Sequence, residues 1–221
     1  MLTKYVSAQS LTGTIDSETS DGKGTVKNLI TVSYQRPTFI SVHMTIKGRN
    51  GLPMSLVSDG ENFRYDPPMK ESLVPPQPRE RLIEPVTVKN QLTGATLVQD
   101  IGMIYNAAHA SLVASTALDI LIGFRAHLKD LQIHVATLNL IKTNVADDGS
   151  KTYLVGGTWR QNKDDQALST YQMLISDQWD LLQFRLVEPI GVNNKLVPLT
   201  ITEKVNVKTD VPVPASTFKI D

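Results

Sequence analysis

Apolar and polar residues alternate through the first third of the chain. Val26, Ile30, Val32 and Tyr34 share one parity, while Lys27, Thr31, Ser33 and Gln35 take the other. Ile40, Val42, Met44 and Ile46 repeat the pattern against Ser41, His43, Thr45 and Lys47. Successive side chains of a strand point to opposite faces, so these runs predict antiparallel strands with one covered face and one wet face. Asp21-Gly22, Asn50-Gly51 and Asp59-Gly60 supply the positive-φ positions that tight hairpins need.

Two later changes of pattern divide the chain. Six of the twelve prolines fall between Pro67 and Pro85, where missing ladder donors and fixed φ predict an extended connector without regular pairing. Between Ala95 and Phe124 the only formal charges are Asp100 and Asp119, and Leu97, Ile101, Ile104 and Ala108 recur at helical spacing, as do Leu118, Leu121, Ile122 and Phe124. Gly123 and the run Ala114-Ser115-Thr116 predict breaks, hence two or three short helices. Helices so poor in charge need cover, and the apolar face of the sheet is the place for them. From Ile133 alternation returns. Ile133 to Thr143 and Lys151 to Arg160 flank Asp148-Gly149 as one hairpin, and Leu168 to Ser176 with Trp179 to Glu188 form another. Val197, Leu199, Ile201, Val205 and Val207 line one side of the last strand, interrupted by Glu203.

The resulting expectation is a single α+β domain over residues 1–221, without the βαβ alternation of a parallel sheet. Residues 1–9 are the end of an N-terminal helix carrying Leu2, Tyr5 and Val6, and 10–66 are a first β block. Residues 67–94 are the connector, 95–131 a helical lid, and 132–221 a second β block and tail. The architecture expected is a strongly curved antiparallel sheet, an incomplete β-barrel, with short helices covering its concave face.

Composition narrows the function. Hydrophobic residues make up 41% of the 221, enough for a real core. Twenty-two basic residues balance twenty-two acidic ones, so no global charge favours nucleic acid. With no cysteine, disulfides, thiolate metal sites and cysteine nucleophiles are excluded. No window is long and apolar enough for a transmembrane segment.

Enzyme signatures are missing as well. The chain has neither a Gly-rich phosphate loop ending in Lys and Ser/Thr nor a dinucleotide fingerprint. His43, His109, His127 and His134 lack the i,i+4 spacing of helical metal ligands. His109 and Ser111 stand two apart in a helical segment and point in different directions, a poor base and nucleophile pair. Asp147-Asp148 and Asp164-Asp165 lie in turn-like sequence, where solvated turn chemistry accounts for them. Gly156-Gly157 inside a strand pattern marks a bulge or close packing. Trp159, Tyr171 and Trp179 read first as packing residues. No catalytic residue, metal or cofactor is expected, and an enzyme acting on lipid or glycan ranks third among the readings.

Four short motifs carry a more specific signal. Gln35-Arg36-Pro37 is followed by Val42-His43-Met44-Thr45, then Leu56-Val57-Ser58-Asp59-Gly60, then Tyr65-Asp66-Pro67. Their order and spacing resemble the opening sheet of the periplasmic lipoprotein-carrier (LolA/LolB-like) superfamily. The tail from Val205 to Ile220 loosely echoes that family's closing segment. The chain is most similar to the superfamily's uncharacterised members predicted to be periplasmic, since the proline connector and long tail depart from the compact carrier.

The resemblance implies an apolar cavity between sheet and lid, and non-covalent binding or transport of a lipid or lipid-modified protein in the bacterial cell envelope. It implies an extracytoplasmic, periplasmic location, with a signal segment not included in these residues. The expected lining is Ile40, Val42, Met44, Ile46, Ile101, Ile104, Leu121 and Phe124. In the carriers the arginine of the Arg-Pro pair helps fasten the lid, so Arg36 takes that expectation. Strand parity independently sets it after Val32 and Tyr34 on the apolar face, and a surface arginine snorkelling before a proline is the competing reading. The alternative function is an envelope sensor or scaffold that binds a partner protein with the same fold.

Overall fold

The computed structural model describes residues 1–36, 38–47, 54–66, 86–89, 115–122, 135–160, 169–192 and 195–220. The described strands are β1 (Ser10–Ser20), β2 (Thr25–Gln35), β3 (Phe39–Lys47), β4 (Met54–Asp59), β5 (Asn62–Asp66), β6 (Val86–Lys89), β7 (Asn139–Val145), β8 (Lys151–Trp159), β9 (Ser169–Ser176), β10 (Leu181–Val192) and β11 (Lys195–Thr209). Two short α-helices, α1 (Leu2–Ser7) and α2 (Thr116–Ile122), and a 3-10 turn at Ala215–Phe218 accompany them. The strands hydrogen-bond in the order β6-β5-β4-β3-β2-β1-β11-β10-β9-β8-β7, so the sheet does not close on itself. The class is α+β and dominated by the antiparallel sheet.

The chain forms two compact units. One contains Met1–Ala8, Thr14–Asn28 and Ser115–Val207, and the other Gln9–Gly13, Leu29–Ala114 and Lys208–Asp221. In the first unit β7 to β10 form a meander and β11 returns along β10, with Phe184 opposite Glu203 and Leu186 opposite Ile201. α2 buries Ala117, Leu118, Ile120, Leu121 and Ile122 and packs on β10 and on α1. A seven-residue helix is too short to be stable alone, so this burial is what holds it. Gly157 is required by close approach: a Cβ there would collide with the Thr137 backbone carbonyl. Across the ladder, Ile141 is the extra residue of a bulge between Leu140 and Lys142.

In the second unit β3 to β6 run as consecutive antiparallel neighbours. Ile40, Val42 and Met44 are buried on one face of β3, opposite Ser58, Leu56 and Met54 of β4. The other face was expected to be wet, yet Ser41 and Val57 are buried on it. The cause is the tail: the 3-10 turn packs on β3 and β4 and sets the buried ring of Phe218 5.5 Å from that of Phe39. The Phe39 ring in turn lies against Gly60, whose φ of 96° leaves no place for a Cβ.

Most expected strands are present, with two differences. Within the connector expected over 67–94, β6 pairs with β5; the β-branched residues Val86, Thr87 and Val88, directly after Pro85, are enough to add a short strand. Val26 is exposed at the end of the β1–β2 hairpin, outside the covered part of its face. Of the helical lid, α2 is described; the rest of 95–131, like the Asn50-Gly51 hairpin, lies outside the described residues.

Phe218→Ala should remove the cover from β3 and β4. Replacing a buried phenylalanine by alanine costs about 3–5 kcal/mol. Urea unfolding should show a loss in that range; a change below about 1 kcal/mol, the size of an ordinary surface substitution, would mean that the tail does not anchor the fold.

Candidate functional site

The site is built from the middle strands of the first unit. The β1–β2 hairpin is held in one register by three contacts: Asp21 N–H donates to Gly24 O, Lys27 pairs with Glu18 at 3.1 Å, and the Thr12 and Ser33 hydroxyls meet at 2.8 Å. In that register Ser17 stands opposite Asn28. On the other side of β1, Asp210 N–H donates to Ser10 O at 2.8 Å. β11 is the other neighbour of β1, and an unbroken ladder from that pair would set Ser17 opposite Glu203 and Ile15 opposite Val205. Phe184 of β10 completes the row beyond Glu203.

Asn28, Ser17 and Glu203 therefore form a polar row across three neighbouring strands, at positions whose parity is otherwise apolar. Ile15, Ile30, Ile201 and Val205 flank them, and all are buried. Glu203 is 0% exposed. Its Oε2 accepts the Ala117 N–H at 2.9 Å, at the start of α2. Ser115 caps the same turn, its hydroxyl accepting from Leu118 N–H at 3.1 Å. The carboxylate thus ties β11 to the first turn of α2, where unpaired N–H groups and the helix dipole favour negative charge.

The remaining polar atoms of the row are unpaired. Ser17 Oγ, Asn28 Oδ1 and Nδ2, and Glu203 Oε1 have no hydrogen-bond partner among the described residues. Burial raises the Glu203 pKa from 4.5 to about 7; the Ser115 hydroxyl and the Ala117 N–H oppose the rise, and the charge of Asp119 adds to it. Sequence reasoning took Glu203 for an interruption of an apolar face. The available signal was its parity: it shares the side of Ile201 and Val205, as Ser17 shares that of Ile15 and Asn28 that of Ile30.

Around this row α1 is fastened by Tyr5 and Lys4. The Tyr5 hydroxyl accepts from Leu181 N–H at 2.8 Å, and burial pushes its pKa to about 12. Lys4 Nζ donates to Asp180 Oδ1 and to Gln178 O, pinning α1 to the β9–β10 turn. In that turn Trp179 adopts a φ of 64° and stacks on Tyr153, while Trp159 meets Tyr171 edge-on.

The residues expected to line a cavity fall in three groups. Ile40, Val42 and Met44 share a buried face of β3, to which strand Ile46 also belongs. Leu121 is buried in α2 of the other unit. Ile101, Ile104 and Phe124 lie outside the described residues. The Arg36 guanidinium sits over the Tyr34 ring, 5.4 Å from its centroid, and the Arg36 N–H donates to Gln9 O. Among the described residues no group of His, Asp or Glu could hold a metal ion, and no helix is long and apolar enough to cross a membrane.

Comparison with known proteins gives the following. No protein-family model matches the chain, and no curated protein does. Solved structures with a similar layout include LprF from Mycobacterium bovis, 11% identical with a TM-score of 0.44, covering 97% of this chain and 91% of its own. A DUF1329 family protein from Desulfovibrio piger is 10% identical with a TM-score of 0.38, covering 99% and 92%. A putative outer membrane lipoprotein-sorting protein domain from Vibrio parahaemolyticus is 6% identical with a TM-score of 0.31, covering 98% and 92%.

The Glu203 carboxyl generates a pH prediction. The unfolded chain releases its proton near pH 4.5 and the folded protein near 7, so between these values the folded state holds the extra proton. The stability this adds is complete below the lower value and disappears as pH rises through the upper one. Denaturation midpoints at pH 5 and pH 8 should show wild type losing on the order of 3 kcal/mol more than Glu203→Gln, whose amide oxygen still accepts from Ala117. Equal losses in the two proteins would place the proton elsewhere.

Proposed function

We propose that this protein binds a lipid or a lipid-modified protein non-covalently, as a carrier in the bacterial cell envelope, with all 221 residues acting as one carrier domain. The observation that carries this reading is the buried apolar face of β3, Ile40, Val42 and Met44, set among the four ordered motifs that resemble the lipoprotein-carrier superfamily. The same residues supply no chemistry. Ligand affinity would come from burial: hiding about 400 Å² of acyl chain yields on the order of 10 kcal/mol before ordering costs. Ile46, Ile101, Ile104, Leu121 and Phe124 complete the lining in this proposal, and Arg36 fastens the lid. The location that goes with it is periplasmic.

An environment-sensitive apolar dye should therefore fluoresce with the purified protein and be displaced by long-chain lipids, and organic extracts of the protein should contain co-purified lipid. A protein that neither brightens the dye nor carries lipid would leave the sensor or scaffold role as the better reading. Arg36→Leu should remain folded and shift dye release by roughly ten- to a hundred-fold in stopped flow, the worth of one charge-assisted hydrogen bond. Identical release rates would return Arg36 to packing on Tyr34.

A further inference from the structure

The row Asn28, Ser17 and Glu203 is out of place in a purely hydrophobic interior. A buried polar atom without a partner costs free energy, and native proteins keep few of them. Here four such atoms belong to residues of three adjacent strands. Directly opposed residues on neighbouring strands have Cβ atoms about 5 Å apart, so the four lie within reach of a single small polar group. One anchor of the row is already assigned, since Glu203 Oε2 holds Ala117 N–H. Its Oε1, the Ser17 hydroxyl and both ends of the Asn28 amide remain to be matched.

We infer that this row is a headgroup site that takes the neutral, hydroxyl-bearing end of a lipid, an acylglycerol, while the acyl chain lies along apolar residues. The inference rests on the lipid-binding reading and names the lipid class within it. The chemistry of the row decides the class. Asn28 offers two N–H donors and one acceptor, Ser17 one of each kind, and Glu203 Oε1 an acceptor. A pair of adjacent alcohols, each both donor and acceptor, matches that set. Phosphate or free carboxylate does not. The row contains no Lys, Arg or His, and among the described residues the carboxyl that bears on Glu203 is that of Asp119 in the first turn of α2. Above pH 7, where Glu203 is ionised, an anionic headgroup would meet like charge in a desolvated place, where repulsion is strong. A hydrocarbon or simple ester would leave the donors unmatched.

The test is competition against the bound apolar dye with four probes: 1-monooleoylglycerol, methyl oleate, oleate and free glycerol. Wild type should release dye to monooleoylglycerol at about tenfold lower concentration than to methyl oleate or oleate, the worth of one to two hydrogen bonds. Glycerol alone should leave the dye in place. In the double variant Ser17→Ala, Asn28→Leu the preference should fall to about one while methyl oleate competes as before. The same variant, without lipid, should be at least as stable as wild type, because partnerless polar atoms have been removed.

A wild-type ratio near one, or a ratio that survives in the variant, overturns the headgroup site while leaving lipid binding intact. Marked destabilisation of the variant also overturns it, since the polar atoms would then be satisfied by the protein itself. Displacement by glycerol alone transfers the site to free polyols and overturns the lipid class. If no lipid displaces the dye, lipid binding and the headgroup site fail together.

Discussion

A carboxylate buried in the middle of a sheet constrains everything around it. Glu203 occupies an inward position of β11 and has lost its water, so its charge must be met by fixed dipoles or neutralised by a proton. Both responses are present: the N–H of Ala117 and the hydroxyl of Ser115 face it, and its proton affinity rises. Because the donors belong to the first turn of α2, the carboxylate fixes where that helix begins on the sheet. The helix's apolar residues then fill the space beside β10 and α1. Tyr5 and Lys4 close the arrangement by binding α1 to the first residue of β10 and to the β9–β10 turn.

Much of the sheet was legible because period 2 is imposed by covalent geometry. Val32 and Tyr34, then Ile40, Val42 and Met44, are buried as their parity required. Asp59-Gly60 and Asp148-Gly149 turn where the chain needs a positive φ. The run Ala114-Ser115-Thr116 was legible as a break, and in the fold Ser115 caps α2 there. Less could be read where distant parts meet. Ser41 looks like part of a wet face until the tail brings Phe218 onto Phe39, and nothing local to β3 announces a partner nearly 180 residues away.

The candidate site was missed for a related reason. A single polar residue in an apolar strand is ordinarily a solvated position, and Glu203, Ser17 and Asn28 were each unremarkable alone. They acquire meaning through register, which depends on pairing between β1 and strands at both ends of the chain. The hairpin contacts of Glu18 with Lys27 and Thr12 with Ser33 set one side of that register, and Ser10 with Asp210 sets the other. A one-residue slip of β11 would turn Glu203 to the other face and put Thr202 or Lys204 in its place.

The row also separates two demands that a single carboxylate would otherwise confuse. Holding α2 needs one oxygen, Oε2, and a glutamine would do the same work without the cost of burying a charge. Holding the helix needs nothing from Ser17 or Asn28. An alanine and a leucine at those positions would suit Ile15 and Ile30 beside them and would strengthen the interior by ordinary packing. The fold therefore accounts for one of the five polar atoms in the row and leaves the other four as a net expense. An expense concentrated on three adjacent strands, at one level of the sheet, is better explained by a guest that shares those hydrogen bonds than by any need of the folded chain.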